Sequence, residues 1–153
     1  MKKILLLFVL LAGTVGLYGQ NRSDSAILGS WEVKKFVWAS PTKEEKEELP
    51  RFEHFFVGSI VTFEKNGKLK FETRSGDNEL RAVFFSEDLA NIYWQLDTSG
   101  RVINLYNTIK RSNKDLLGTI EIMEKDGNVV FHPLETPLYF LVEKKSIAKN
   151  GQQ

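Results

Sequence analysis

From residue 57 to residue 144 the chain is a series of short segments in which apolar and polar residues alternate, and turn-forming residues separate these segments. Asn66-Gly67 and Asp126-Gly127 are the clearest turn signals, because both dipeptides favour short hairpins. Alternation with a period of two places one side of each segment against a core. The pattern therefore predicts an antiparallel meander of short strands.

About nine segments are strand candidates, the first of which precedes the meander. They cover residues 27–38, 57–63, 68–73, 79–85, 91–97, 101–107, 117–124, 128–132 and 138–144. A sheet of this length exposes two edges unless it closes on itself. We therefore expect an all-β fold, an up-and-down antiparallel β-barrel of about eight strands, formed by one domain at residues 27–145. A β-sandwich is the alternative.

The first strand carries large apolar residues on both of its sides. Trp31, Val33 and Val37 share one side, and Phe36 and Trp38 share the other. A straight strand would leave one of these sets in solvent. We therefore expect the strand to bend midway, as barrel strands often do.

Residues 40–56 interrupt the strand pattern. Thr42 and Glu45 have the spacing of a capping box, which predicts a short helix that ends before Pro50. The aromatic residues Phe52, Phe55 and Phe56 follow. The insert is either a solvated helix with aromatics packed against the core or a lid over the mouth of a cavity.

Residues 1–19 have the pattern of a cleaved signal peptide, with Lys2 and Lys3 before the apolar stretch 4–17. An uncleaved anchor is the alternative. We expect an exported protein, periplasmic or secreted, with a flexible lead-in at 20–26 and a polar tail at 146–153. The chain has no cysteine, so neither a lipid-anchored cysteine nor a disulfide is possible.

The charges of the chain are nearly balanced. It has 21 Lys and Arg residues against 20 Asp and Glu residues, and loss of Lys2 and Lys3 would leave 19 against 20. Nucleic-acid binding requires a basic surface that neutralises phosphates. We therefore expect no nucleic-acid partner, and no membrane-spanning segment in the mature protein. The sequence gives no indication of the oligomeric state.

Four features together resemble the lipocalin-like families of exported bacterial proteins, within the calycin superfamily. They are Gly29-x-Trp31 at the start of the first strand, the helical insert, the hairpin at 58–69 and the closing strand at 138–144. The resemblance implies that Trp31 plugs the closed end of the barrel and that a basic residue, Lys144 or Lys145, packs over it. It also implies that the barrel binds small apolar molecules.

Catalytic and metal-binding patterns are not evident in the sequence. His54 and His132 are the two histidines, and neither lies in a recognisable motif. A nucleophile elbow and a glycine-rich phosphate loop are also missing. We therefore predict neither an enzyme nor a metal or other cofactor.

The residues expected to face the barrel interior carry the functional prediction. They are Trp31, Val33, Val61, Phe63, Leu69, Phe71, Phe84, Trp94, Leu96, Ile103, Leu105, Ile120 and Ile122. An eight-stranded barrel is just wide enough either to be filled by side chains or to hold one small ligand. A filled barrel would act as a scaffold for protein–protein interaction in the cell envelope, through Phe52, Phe55, Phe56 or Tyr93.

A hollow barrel would instead bind a small hydrophobic ligand. The residues predicted to line its interior or mouth are Val33, Lys35, Phe52, Phe55, Phe56, Phe63, Phe71, Phe84, Trp94, Leu105 and Glu121, with Gly29 and Trp31 as the structural plug. Lys35 and Glu121 are the polar members of this set. A charge buried among them would require a partner or a ligand group.

Overall fold

The computed structural model describes residues 24–84, 91–108 and 115–146. The predicted signal peptide and most of the polar tail lie outside these ranges. The elements are α1 (Asp24–Ile27), β1 (Gly29–Trp38), α2 (Lys43–Phe56), β2 (Ile60–Phe63), β3 (Leu69–Glu72), α3 (Asn78–Phe84), β4 (Tyr93–Leu96), β5 (Val102–Tyr106), β6 (Leu116–Lys125), β7 (Asn128–Pro133) and β8 (Leu138–Lys144).

The eight strands form one antiparallel sheet in the order β3-β2-β1-β8-β7-β6-β5-β4. The two outer strands meet at a single bridge between Lys68 and Tyr93. Beside it, the Leu69 amide donates to the Ile92 carbonyl and the Trp94 amide to the Gly67 carbonyl, both at 2.8 Å. The sheet is therefore a nearly closed barrel, and the predicted up-and-down fold is confirmed.

Both predicted hairpin turns are present. Asp126 and Gly127 join β6 to β7 with φ angles of 52° and 76°, the left-handed pair that such a turn requires. In the β2–β3 turn, Gly67 has a φ of 83°. The side chain of Asn66 stabilises this turn, because its Oδ1 accepts a hydrogen bond of 2.8 Å from the Lys68 amide.

The predicted bend of β1 is a β-bulge. Val33 pairs with Val142 of β8, but the next paired residue is Lys35, opposite Leu141. The extra residue reverses which side faces inward, so that Trp31, Val33 and Phe36 are all buried. Val37, expected to face inward, is 41% exposed, since it lies beyond the reversal.

The prediction of a strand at 79–85 is wrong, because residues 78–84 form helix α3. Asp77 starts this helix: its Oδ1 accepts from the Leu80 amide and its carbonyl oxygen from the Arg81 amide, both at 3.0 Å. The alternation of apolar and polar residues is too short here to separate a strand from a helix. The helix places Leu80 in the core with 4% of its surface exposed.

Helix α2 begins with the predicted capping box. The Thr42 amide donates to Glu45 Oε2 at 2.7 Å, and the Glu45 amide donates to Thr42 Oγ1 at 3.2 Å. The helix does not end before Pro50, as predicted, but continues to Phe56. Burial of Phe55 and Phe56 in the second half offsets the cost of a proline inside a helix.

The lead-in is also more regular than expected. Residues 24–27 form the single helical turn α1, and the first strand begins at Gly29 rather than at residue 27. Ile27 is completely buried, which anchors this turn to the barrel.

Replacement of Pro50 by alanine tests the cost of a proline within α2. Pro50 is exposed, so the substitution removes no core contact. It restores an amide donor for the Lys46 carbonyl, and we expect the free energy of unfolding to rise by about 1–3 kcal/mol. Urea denaturation measures the change, with Glu47→Ala on the same exposed surface as the control. A loss of stability would contradict the prediction.

Candidate binding site in the barrel interior

Trp31 and Lys144 shut one end of the barrel. The Trp31 side chain is 5% exposed, and its Nε1 donates to the Ile27 carbonyl at 2.8 Å. Lys144 Nζ lies 5.4 Å from the centre of the Trp31 ring system and donates to the Ala26 carbonyl at 3.0 Å. A lysine ammonium over an indole makes a favourable cation–π contact. The basic residue over the tryptophan is therefore Lys144.

Gly29 belongs to the same closed end. Its φ is 107°, a value that residues with a side chain rarely adopt. A β-carbon added to Gly29 would lie 3.5 Å from Lys144 Cε. A larger residue would strain the backbone beneath the Lys144 side chain. This gives the Gly-x-Trp triplet a local physical role.

Aromatic rings fill the interior next to the closed end. Phe131 lies 5.5 Å from Trp31 and 5.8 Å from Phe63, and Phe63 lies 5.4 Å from Trp94, measured between ring centres. These are ordinary distances for edge-to-face ring contacts. Because the rings come from four strands, they join the walls of the barrel in this half.

Helix α2 covers the opposite end with its aromatic side. Phe56 lies 5.3 Å from Phe36 and 4.9 Å from Phe140, and Phe52 lies 5.1 Å from Trp38, between ring centres. Phe55 is completely buried. The insert is therefore a helix with aromatics packed against the core, and its use as a lid stays a prediction.

Four interior-facing apolar residues are only partly buried. Val61 and Phe71 share the inner side with Trp31, because Trp31 pairs with Val61 and Val61 with Phe71. Ile120 pairs with the fully buried Ile103, and Leu105 is two residues further along the same strand. All four pack against the core without being fully enclosed. They form a partly exposed apolar inner wall, called here the half-buried wall.

The predicted polar members of the site do not face the interior. Lys35 is exposed on the outer side, since the bulge of β1 reverses the strand just before it. Glu121 pairs with Val102 and His132 and lies on the side opposite Ile120. Of the remaining predicted residues, Val33, Phe63 and Trp94 are buried in the core. The side chain of Phe84 lies outside the described part of the structure.

Phe36 and Phe140 belong to the interior but were not predicted there. They pair across β1 and β8, and their ring centres lie 5.6 Å apart. A strict period of two assigns Phe36 to the outer side. The signal that could have found it is the second aromatic, Trp38, on that same supposedly outer side.

Few polar groups that could take part in chemistry are found among the described residues. Thr108 Oγ1 is buried and has no hydrogen-bond partner. His54 is exposed, and His132 Nδ1 lies 2.8 Å from the Leu138 carbonyl oxygen, with its ring stacked on Tyr139 at 4.2 Å. Within the described ranges, no group of three or more His, Cys, Asp or Glu residues could hold a metal ion.

An arginine clasp joins α2 to the start of α3. Arg51 Nε lies 2.8 Å from Asp77 Oδ2, its second nitrogen lies 3.2 Å from Asp77 Oδ1, and it also pairs with Glu79. The hydrogen bond from Arg51, together with one from the Leu80 amide, lowers the pKa of Asp77 to about 2. The clasp therefore holds together the two helices that follow β1 and β3.

A charged cavity of about 310 Å³ lies at the closed end, lined by Glu32, Lys34, Glu143, Lys144, Lys145 and Ser146. Lys34 pairs with Glu32 at 3.0 Å and with Glu143 at 3.6 Å. The hydrogen bond from Lys34 lowers the pKa of Glu32. Glu32, Lys34 and Glu143 thus pair with one another at the surface, and Lys144 is held by Trp31 and the Ala26 carbonyl, so the barrel interior is the better candidate site.

Comparisons with known proteins give no further assignment. No family model matches the chain, and no match was found among curated proteins or solved structures. None of the helices in the described ranges is long and apolar enough to cross a membrane.

Replacement of Trp31 by alanine tests the plug. It removes the ring that contacts Phe131 and Lys144, and truncation of a buried tryptophan costs about 3–5 kcal/mol of unfolding free energy. Chemical denaturation measures the loss. Val37→Ala, an exposed position in the same strand, should cost less than about 1 kcal/mol. A loss below about 1 kcal/mol for Trp31→Ala would show that the residue is not a plug.

Replacement of Asp77 by asparagine tests how much the negative charge of Asp77 contributes to stability. The helix cap is kept, since asparagine also caps helices well. The pKa of Asp77 is lowered from 3.8 to about 2. Its charge therefore stabilises the fold fully above about pH 4, and this stabilisation is lost as the pH falls towards 2.

We accordingly expect wild type to be more stable than Asp77→Asn at pH 6, and the two to converge near pH 2. Denaturant titrations at several pH values measure the difference. Glu44→Gln, an exposed carboxylate on α2, is the control. A difference that does not change with pH would contradict the role of the charge.

Proposed function

We propose that the protein is an exported, lipocalin-like binding protein that holds one small hydrophobic molecule in the barrel, beside the half-buried wall. The observation that carries the proposal is the partial exposure of Val61, Phe71, Leu105 and Ile120 on the inner side of the sheet. Side chains that face a filled core are enclosed, as Ile103 is. An apolar wall that water reaches is the usual lining of a ligand site.

The closed end supports the lipocalin-like part of the proposal. The resemblance calls for a tryptophan plug under a basic residue of the last strand, and Trp31 lies under Lys144. The first and last strands also pair along seven residue positions, which joins the two ends of the domain. Export remains part of the proposal, on the signal-peptide pattern of residues 1–19.

A scaffold that acts in protein–protein interaction is the second candidate. The contacts of Trp31, Phe63, Trp94 and Phe131 favour it, because they fill the part of the interior next to the closed end with side chains. Fewer of the residues predicted to contact a partner are exposed than expected, however. Phe55 and Phe56 are buried, which leaves Phe52 and Tyr93 as partly exposed members of that set.

A paired substitution on β6 tests the binding proposal. Ile120 faces inward, and the adjacent Thr119 faces outward, where it pairs with Asn104. Ile120→Asn puts a polar amide into the half-buried wall and removes apolar contact area. We expect the affinity for an apolar fluorescent dye to fall by about tenfold, the equivalent of about 1.4 kcal/mol. Thr119→Asn should leave the affinity unchanged.

Dye titration of the mature protein measures both variants, and circular dichroism checks that each is folded. Equal affinities for Ile120→Asn and Thr119→Asn would place the dye outside the barrel. No saturable binding by the wild type across several apolar dyes would overturn the proposal in favour of the scaffold.

A further inference from the structure

We infer that the site takes a short, compact apolar molecule and excludes extended acyl chains. The inference rests on the proposed binding function and adds the size and shape of the ligand. It follows from where the aromatic rings stand along the axis of the barrel.

Packed aromatic rings form the end of the site nearest Trp31, called here the floor. Phe131 contacts Trp31 and Phe63, and Phe63 contacts Trp94, all within 5.8 Å between ring centres. Each of these side chains is at most 5% exposed. Trp94 is further fixed by a hydrogen bond of 3.1 Å from its Nε1 to the Glu64 carbonyl. A ligand can pass this floor only if packed rings move.

Aromatic rings also form the end of the site beneath helix α2, called here the roof. Phe56 contacts both Phe36 and Phe140, and Phe52 stacks over Phe36 at 6.3 Å. Helix α2 carries Phe52 and Phe56, and the Arg51 clasp ties the helix to α3. The roof therefore limits how far a bound molecule can extend along the axis.

Little length separates the floor from the roof. Phe131 of the floor pairs directly with Phe140 of the roof, and Phe140 pairs with Phe36. Residues that pair across antiparallel strands have α-carbons about 5 Å apart. Because rings occupy the axis of the barrel from the floor to the roof, a molecule beside the half-buried wall has room only for a compact ring or a short chain.

A series of straight-chain alcohols from butanol to dodecanol tests the inference, by displacement of a bound apolar dye from the wild-type protein. Each buried methylene should strengthen binding by about fourfold. We expect the affinity to reach a plateau before decanol, because the additional carbons stay in water. Cyclohexanol, which is compact, should bind at least as tightly as hexanol.

A substitution in the floor gives a second measurement. Phe131→Ala removes the ring between the closed-end aromatics and Phe140, so the plateau should move to a longer alcohol. Tyr139→Ala is the matched control, because Tyr139 stacks on His132 on the outer side of the barrel. Its plateau should stay where the wild type has it. If Phe131→Ala does not fold, the wild-type series decides alone.

The outcomes separate the two proposals. Binding that strengthens steadily to dodecanol overturns the size limit and leaves the binding function intact. A plateau that Phe131→Ala and Tyr139→Ala move equally places the limit outside the floor and also overturns the inference. No displacement by any alcohol, from a protein that binds no dye saturably, overturns the binding function and the size limit with it.

Discussion

The bulge of β1 between Val33 and Lys35 is the constraint on which the interior depends. Before the bulge, Trp31 and Val33 point inward, and after the bulge Phe36 points inward. One strand thus supplies both the plug of the closed end and the ring on which α2 packs. Without the extra residue, either Trp31 or Phe36 would face solvent, and one end of the barrel would lose its aromatic cover.

Much of the barrel could be predicted because its signals are local. Asp126-Gly127 determines one turn through two left-handed residues, and Asn66-Gly67 determines another through Gly67 and the Asn66 side chain. The alternating residues beside these turns determine which side is buried. The closing strand at 138–144 was predicted to the residue. The resemblance also anticipated the basic residue over Trp31, which the structure identifies as Lys144.

The failures occurred where distant contacts outweigh local preference. The segment at 79–85 alternates like a strand, yet Asp77 caps a helix there and Arg51, from a remote part of the chain, holds that cap. Pro50 signals the end of a helix, but the core contacts of Phe55 and Phe56 extend it. Lys35 was placed inside because the bulge of β1 shifts a register that sequence spacing treats as regular. Glu121 faces outward without any bulge, because it alternates with the inward-facing Ile120 and Ile122.

The pairing of β1 with β8 joins the two ends of the domain, and this has a consequence for how the protein is made. Val33 meets Val142, so the longest row of ladder hydrogen bonds forms only once the last strand is present. Contacts between residues so far apart in sequence slow folding, because a long loop must close first. During synthesis one edge of β1 therefore stays unpaired, and the barrel stays open, until β8 has been made.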